Sequence, residues 1–244
     1  MNFLKIINYR INKFLDLIYP KFCAICSFKI TVNPELGIHP GCLDKIKIKA
    51  APFCQRCAQS LDTIQIESHF CPACKGLLFN FNRLVNVYDY TRDIKTCIIM
   101  FKYKRNVKLG NLLAEKMAGY IKQHYSMADI DLITAIPLHR SKQKIRGFNQ
   151  SDILAQRIAN NFNMPFSAGN LIRHKKTKSQ YNLNRQQRAK NLKNAFRCQD
   201  IKEFQHKSVL LVDDIYTTGI TLNECAKVIK NAGARKIIAF TLAK

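Results

Sequence analysis

The stretch from Ser208 to Leu222 constrains the fold more than any other part of this sequence. An uninterrupted apolar run ends at Val212 and is followed by two adjacent acids, a short turn of threonine and glycine, and a segment with helical periodicity. Such a run is typical of a buried strand, and the turn predicts a helix that begins near Thr221. The pattern therefore predicts a strand, turn and helix unit of an α/β protein.

The turn also predicts a binding site for a phosphate group. The first N–H groups of a helix have no partner within the helix, and the helix dipole favours negative charge beside them. Asp213 and Asp214 sit at the carboxyl end of the predicted strand, where carboxylates can accept hydrogen bonds from sugar hydroxyls. Two unpaired acids at a strand end are costly without such a use. We therefore expect a ribose 5-phosphate site; the alternative is an ordinary strand, turn and capped helix.

The order of these residues resembles the phosphoribosyl-pyrophosphate (PRPP) signature of type I phosphoribosyltransferases. The resemblance implies that Asp213 and Asp214 bind the ribose hydroxyls, and that the following loop binds the 5-phosphate. The loop comprises Thr217, Thr218, Gly219, Ile220 and Thr221.

A second pattern lies near the start of the chain, where seven cysteines and one histidine form four short pairs of metal-ligand spacing. The pairs are Cys23 with Cys26, His39 with Cys42, Cys54 with Cys57, and Cys71 with Cys74. Four such pairs hold two tetrahedral ions, so we predict two structural Zn²⁺ sites without an open position for catalysis. Similar gaps favour sequential sites, each built from two consecutive pairs. An interleaved arrangement, first pair with third and second with fourth, stays open.

Charge and length limit the partners. The chain has 244 residues, enough for one α/β domain and a small module, and a net charge of +24, which favours nucleic acid or a polyphosphate as partner. The segment from Arg173 to Arg197 contains no acid. It is interpreted as a mobile lid over pyrophosphate, a nucleic-acid contact or both, with a plain solvated charge run as the alternative.

The pattern divides the chain into three parts: an amphipathic N-terminal helix over 1–20, a zinc-binding module over 21–78 and an α/β domain over 79–244. Polar residues interrupt the apolar positions of the first part, so we expect no stable membrane insertion. We expect this helix to pack against the body of the protein rather than on a membrane. The absence of an export signal predicts a cytoplasmic location, where cysteines stay reduced.

Strands and helices are predicted to alternate after residue 79, which favours a mostly parallel sheet flanked by helices, with its ligand crevice at the carboxyl ends of the strands. The predicted strands are 84–90, 131–137, 208–212 and 236–242, and the predicted helices are 93–101, 109–124, 149–161 and 222–230.

A basic loop follows the strand at 131–137. In type I phosphoribosyltransferases this position contacts pyrophosphate, so the resemblance implies that Leu138, His139 and Arg140 do so here, with Arg146 as a further donor. The alternative is a basic solvated loop.

The whole pattern is similar to the ComF family, including its GntX-type members. The resemblance rests on the paired cysteines and on further motifs in chain order: Arg146 to Gln150 (Arg-Gly-Phe-Asn-Gln), Thr177, Gln180, Arg188 to Phe196 (Arg-x-x-Asn-Leu-x-x-x-Phe) and Val212 to Thr221. It implies a zinc-bearing protein with a type I phosphoribosyltransferase-like domain, linked to the uptake or use of external DNA. His39 stands where many members have cysteine, a change that preserves zinc binding.

Two functional hypotheses remain. In the first, the protein is a cytoplasmic DNA-uptake or DNA-processing factor that binds PRPP or a related ribose phosphate with Mg²⁺, and its basic face contacts single-stranded DNA or a DNA-uptake helicase. In the second, it is an active phosphoribosyltransferase with an unidentified acceptor. Purine-salvage enzymes generally carry an acid at the position of Thr217, which disfavours purine salvage. That threonine and the basic segment both favour the first hypothesis.

Overall fold

The computed structural model describes residues 20–50, 52–61, 69–175 and 184–244. The predicted N-terminal helix, apart from Pro20, lies outside the described residues. So do Thr177 and Gln180 and the middle of the basic segment.

A parallel sheet of five strands, in the order β1-β7-β6-β2-β3, forms the centre of the α/β part. β4 and β5 form a separate antiparallel pair. The strands are β1 (Arg83–Tyr88), β2 (Leu132–Ala135), β3 (Phe166–Ser167), β4 (Leu171–Arg173), β5 (Phe196–Cys198), β6 (Ser208–Ile215) and β7 (Lys236–Ala243).

Helices cover both faces of this sheet. The α-helices of the described residues are α1 (Pro40–Asp44), α2 (Arg92–Tyr103), α3 (Val107–His124), α4 (Arg140–Arg146), α5 (Gln150–Phe162), α6 (Arg185–Leu192) and α7 (Ile220–Asn231). Buried side chains of α2, α3 and α5 pack on one face, and those of α7 pack on the other. The predicted α/β fold with a mostly parallel sheet flanked by helices is confirmed. Within the described ranges, no helix has the length and apolar character needed to cross a membrane.

The central strand β6 is longer than predicted. The sequence predicts its end at Val212, but the strand continues to Ile215 because Asp213 and Ile215 align with residues of β7. Asp213 and Asp214 therefore lie inside a central strand.

The cysteine-rich segment packs directly against the α/β part. Asn106, at the start of α3, donates hydrogen bonds to the carbonyl oxygens of Glu35 and Leu36, both at 2.9 Å. The N–H of Leu84 in β1 donates to the carbonyl of Gln55 at 2.6 Å. Both halves of the segment are thus anchored to the sheet layer, and the division into 21–78 and 79–244 stays a prediction.

Candidate ligand site and metal clusters

The two acids of β6 are buried, and each has a partner from another element. The Asp214 carboxylate forms an ion pair with Lys102 at the end of α2. Asp213 Oδ1 accepts hydrogen bonds from Ser151 Oγ, in the first turn of α5, and from the N–H of Asp214, both at 2.8 Å. The prediction that both acids are unpaired is therefore wrong for this structure. The physical reason is the added length of β6, which carries the carboxylates between packed helices.

The two carboxyl groups have pKa values shifted in opposite directions. Burial raises the pKa of Asp213 to about 8, and the neighbouring carboxylate of Asp214 adds to the rise. Burial also opposes the ionisation of Asp214, but the charge and hydrogen bond of Lys102 outweigh it and hold the pKa of Asp214 below its usual range. At neutral pH the pair thus shares a single negative charge, which Lys102 balances.

The threonine and glycine turn follows these acids directly. Gly219 has a φ of 74° and precedes α7, which begins at Ile220, one residue before the predicted Thr221. The N-cap residue Gly219 has no side chain that could cap this helix, which leaves its first N–H groups as potential donors. A Cβ on Gly219 would lie 2.6 Å from the hydroxyl oxygen of Tyr216, whose ring packs over the turn. The turn therefore requires glycine for both its backbone conformation and its packing.

The threonine side chains differ in surroundings. Thr217 is exposed, and its Oγ1 accepts a hydrogen bond from Arg188 Nη1 of α6 at 3.4 Å. Thr218 and Thr221 are half-buried on either side of the glycine. All five predicted loop residues thus lie in one turn, at the same edge of the sheet as the acids.

The four residues predicted to contact pyrophosphate separate into two places. Leu138, His139 and Arg140 follow β2 and line a cavity of about 400 Å³. His139 also caps α4, because its Nδ1 accepts the N–H of Ser141 at 3.2 Å. Arg146, at the end of α4, lines a different cleft of about 350 Å³. The described residues that line the larger cavity include neither the acids nor the threonine turn.

The cleft beside Arg146 is strongly basic. Besides Tyr103 and Ile145 it is lined by four cations: Lys102, Arg105, Lys142 and Arg146. Burial lowers the pKa of Lys142, and the charges of Arg173, Arg146 and Lys102 lower it further. A lysine whose pKa is lowered by neighbouring cations is typical of a site that binds an anion. The sequence missed Lys102, Arg105 and Lys142, since no local pattern indicates that the end of α2 meets β6.

The first metal group joins Cys23, Cys26, His39 and Cys42, whose ligand atoms all lie within 4.8 Å of one another. His39 Nδ1 lies 3.4 Å from Cys26 Sγ and 3.9 Å from Cys42 Sγ. Its other ring nitrogen, Nε2, donates to the carbonyl of Lys29 at 3.2 Å, which leaves Nδ1 free to bind a metal. Tetrahedral zinc with bonds of about 2.0–2.3 Å holds its ligand atoms at comparable separations, so this donor set fits Zn²⁺.

The second group joins Cys54, Cys57, Cys71 and Cys74, all of them buried. Cys57 Sγ lies 3.6 Å from Cys71 Sγ, a separation that suits two thiolates on one zinc ion. Lys244 Nζ lies 3.6 Å from Cys57 Sγ and offsets part of the thiolate charge. Both groups join consecutive pairs, so the structure has the sequential arrangement. Four protein donors at each site leave no open position, which is typical of structural zinc.

Comparison with known proteins gives matches over nearly the whole chain. Residues 14–75 match the double zinc ribbon domain, and residues 149–244 match the phosphoribosyl transferase domain. Competence protein F of Haemophilus influenzae is 30% identical over 226 residues, which cover 91% of this chain and 96% of that protein.

Two further relatives are more distant. DNA utilization protein YhgH of Escherichia coli K12 is 26% identical over 93% of this chain and 99% of its own length. Competence protein ComFC of Bacillus subtilis is 24% identical over 92% of this chain and 95% of its own length. All three resemble this chain through both the cysteine-rich segment and the α/β part.

Proposed function

The chain belongs to the ComF family, and we propose that it acts in the uptake or use of external DNA, with a ribose-phosphate site at the carboxyl edge of its sheet. The small ligand of this proposal is PRPP or a related ribose phosphate, bound together with Mg²⁺. The macromolecular partners are single-stranded DNA and a DNA-uptake helicase in the cytoplasm, and two structural Zn²⁺ ions hold the N-terminal module. The observation that carries the proposal is the juxtaposition of Asp213 and Asp214 with an uncapped helix turn and a basic cleft.

The acidic pair accounts for a ribose in this proposal. The ion pair of Asp214 with Lys102 satisfies a buried carboxylate as long as no ligand is bound. Two neighbouring ribose hydroxyls can donate to the same carboxylates and take over this role. Asp214 therefore has a partner both with and without the ligand, so binding does not leave a buried carboxylate without a hydrogen bond.

The turn after the acids accounts for the 5-phosphate. Its donors are the N–H groups at the start of α7 and the hydroxyls of Thr218 and Thr221, and the dipole of α7 adds favourable charge. Gly219 permits the positive φ that this turn requires.

The basic cleft accounts for the diphosphate. Lys102, once released from Asp214, lies in the same cleft as Lys142 and Arg146, so three cations converge on one space. Mg²⁺, when bound with the ligand, supplies further positive charge to the diphosphate oxygens. Binding here relieves the repulsion that depresses the pKa of Lys142.

The proposed DNA contact uses the antiparallel pair β4 and β5 together with α6. Asn184 and Gln187 form a capping box that fixes the start of α6. Lys175, Lys190, Lys193 and Arg197 are exposed around this unit, and the sequence from Arg173 to Arg197 contains no acid. A surface of this kind attracts the phosphates of a single strand with little dependence on base sequence.

The turn supports ligand binding better than purine salvage. Thr217 stands where a purine-salvage enzyme generally has an acid, and its hydroxyl accepts a hydrogen bond from the cation Arg188. A hydroxyl in this position cannot protonate a ring nitrogen. Release of pyrophosphate from PRPP in the presence of a base or amine would favour the transferase hypothesis instead.

Thermal unfolding tests the ribose-phosphate site. PRPP with Mg²⁺ is expected to raise the melting temperature, because a ligand that binds only the folded state stabilises it. The double variant Asp213→Asn with Asp214→Asn is expected to lose this shift while its zinc content stays unchanged. The charge-matched control Asp44→Asn with Asp129→Asn changes exposed acids only and is expected to keep the shift. An unchanged melting temperature of the wild type at millimolar PRPP contradicts the proposal.

Charge reversal tests the DNA contact. The triple variant Lys175→Glu, Lys190→Glu and Lys193→Glu is expected to bind single-stranded DNA more weakly. The slope of the logarithm of the binding constant against the logarithm of the salt concentration is expected to become less negative by about 0.7 for each phosphate contact that is lost. The control reverses Lys45, Lys47 and Lys95, which are equally exposed elsewhere. Equal losses in both triple variants mean that net charge alone attracts DNA, and the proposed surface is then wrong.

A further inference from the structure

The cavity of about 400 Å³ after β2 is lined by Leu138, His139 and Arg140, but by neither the acidic pair nor the threonine turn. It lies between the loop from Pro137 to Arg140 and the β4–β5 pair, and it borders the start of α5. Its volume falls within the range of about 300–1,000 Å³ that small-molecule pockets usually occupy. Its lining comprises buried polar side chains, aliphatic side chains and exposed basic side chains.

Polar side chains that are buried or half-buried line this cavity, and they include Thr134, Asn149, Asp152, Ser167 and Arg173. Ser167 is 2% exposed, and its Oγ has no hydrogen-bond partner in the part of the chain that the structure describes. Burial raises the pKa of the half-buried Asp152 to about 6, against a hydrogen bond from Asn149 that lowers it. A buried hydroxyl with no partner among the described residues and a half-buried carboxyl both favour a ligand that brings N–H donors and acceptors.

The walls and the rim have different characters. Aliphatic side chains form the walls, and they include Leu138, Leu171 and Ile172. Arg140, His174 and Arg197 also line the cavity and are exposed to solvent, so they lie toward its mouth. A ligand that matches this order has a polar ring edge inside, flat apolar faces in the middle and an anion outside.

We infer that this cavity binds a nucleoside monophosphate, with the base between the aliphatic walls and the phosphate against the basic rim. The edge of the base faces Asp152 and Ser167, which accept and exchange hydrogen bonds with its N–H groups. Arg140, His174 and Arg197 contact the phosphate. The ligand is a free nucleotide or the phosphorylated end of a DNA strand, which share this chemistry. The inference does not depend on PRPP binding, since no residue of the acidic pair or the threonine turn lines the cavity.

Calorimetric titration of the full chain tests the inference with deoxynucleoside monophosphates, the matching nucleosides and inorganic phosphate. Monophosphates are expected to bind at least about tenfold more tightly than either fragment, because only they use both the floor and the rim. Asp152→Asn and Arg197→Gln are each expected to weaken binding by about tenfold or more. The control Lys227→Gln removes an exposed charge on α7 and is expected to leave binding unchanged.

Two further comparisons separate the sites and the sources. Asp213→Asn with Asp214→Asn is expected to keep nucleotide binding, so loss of binding in that variant assigns the nucleotide to the ribose-phosphate site and overturns the inference. Oligonucleotides with a 5′-phosphate or a 5′-hydroxyl distinguish the sources: a preference for the phosphate that a free monophosphate removes indicates a strand end, and no preference indicates a free nucleotide. Absence of binding by every monophosphate at millimolar concentration, or binding that Asp152→Asn and Arg197→Gln leave unchanged, contradicts the inference.

Discussion

Lys102 of α2 and Asp214 of β6 form an ion pair whose side chains are only 15% and 5% exposed. The pair joins the end of one helix to the central strand of the sheet, beside the turn that begins at Tyr216. It keeps a buried carboxylate satisfied while the site contains no ligand. In the proposed complex the ribose hydroxyls replace Lys102 at Asp214, and the released lysine lies in a cleft lined by three further cations.

Removal of Lys102 tests the energetic role of this pair. Lys102→Met is expected to lower the free energy of unfolding by about 3–5 kcal/mol, because it leaves a buried carboxylate without a partner. The second change Asp214→Asn is expected to restore much of the loss. Urea unfolding measures both effects. The control Lys116→Met breaks the exposed pair with Asp44 and is expected to cost less than about 1 kcal/mol. Equal small losses in both lysine variants contradict a buried pair.

The raised pKa of Asp213 predicts a specific pH dependence. The folded state keeps its proton up to a pH of about 8, whereas the unfolded state loses it near the ordinary value of 3.8. The contribution of Asp213 to stability is therefore present at low pH and is lost as the pH rises between these values. Asp213→Asn is expected to remove this dependence, at most about 1.4 kcal/mol per pH unit.

The measurement is the difference in unfolding free energy between wild type and Asp213→Asn at several pH values. The wild type is expected to lose stability relative to the variant as the pH increases from 5 to 8. This range lies between the ordinary pKa of 3.8 and the pKa of about 8 in the folded protein. A constant difference over this range indicates that Asp213 is already ionised, and the shared charge of the acidic pair is then wrong.

Gly219 predicts a steric effect at the turn. Gly219→Ala places a Cβ 2.6 Å from the Tyr216 hydroxyl oxygen at a positive φ, so the turn has to rearrange. The positive φ alone is expected to lower the free energy of unfolding by about 1–2 kcal/mol in the alanine variant. The increase in melting temperature caused by PRPP is expected to become smaller. The control Gly119→Ala lies inside α3 with open space around its Cβ, and it is expected to gain up to about 1 kcal/mol. An undiminished PRPP response in Gly219→Ala removes the turn from the site.

The metal clusters predict the result of ligand substitution. Cys57→Ser is expected to reduce the zinc content from two ions to one, since its group has four donors and no spare ligand. His39→Cys is expected to keep both ions, because thiolate replaces imidazole in a tetrahedral site. Native mass spectrometry counts the ions, and thermal unfolding reports the loss of stability that follows loss of a structural metal. Full zinc content in Cys57→Ser contradicts the assignment of the second site.

The sequence predicted the elements that depend on local patterns. Alternating apolar runs and helical periods located every long helix and strand of the α/β part, and the spacing from Cys23 to Cys74 located both metal groups. These signals are local, since a knuckle or an amphipathic helix carries its pattern within a few residues.

The environment of the acidic pair was not predictable in the same way. The extension of β6 to Ile215 depends on its alignment with Ala243 in β7, and the partner of Asp214 comes from α2, more than a hundred residues earlier. Contacts between distant segments leave no periodic trace in either segment. The cavity around Asp152 and Ser167 was missed for the same reason, because its walls come from separate loops and strands.

A crystal structure of the protein with PRPP and Mg²⁺ gives the position of Lys102 when the ligand is bound. We expect the ribose hydroxyls within hydrogen-bond distance of Asp213 and Asp214, the 5-phosphate on the turn at Gly219, and Lys102 Nζ at the diphosphate instead of at Asp214. An intact pair of Lys102 and Asp214 at saturating PRPP, with the ligand absent from this edge of the sheet, contradicts the proposed ribose-phosphate site.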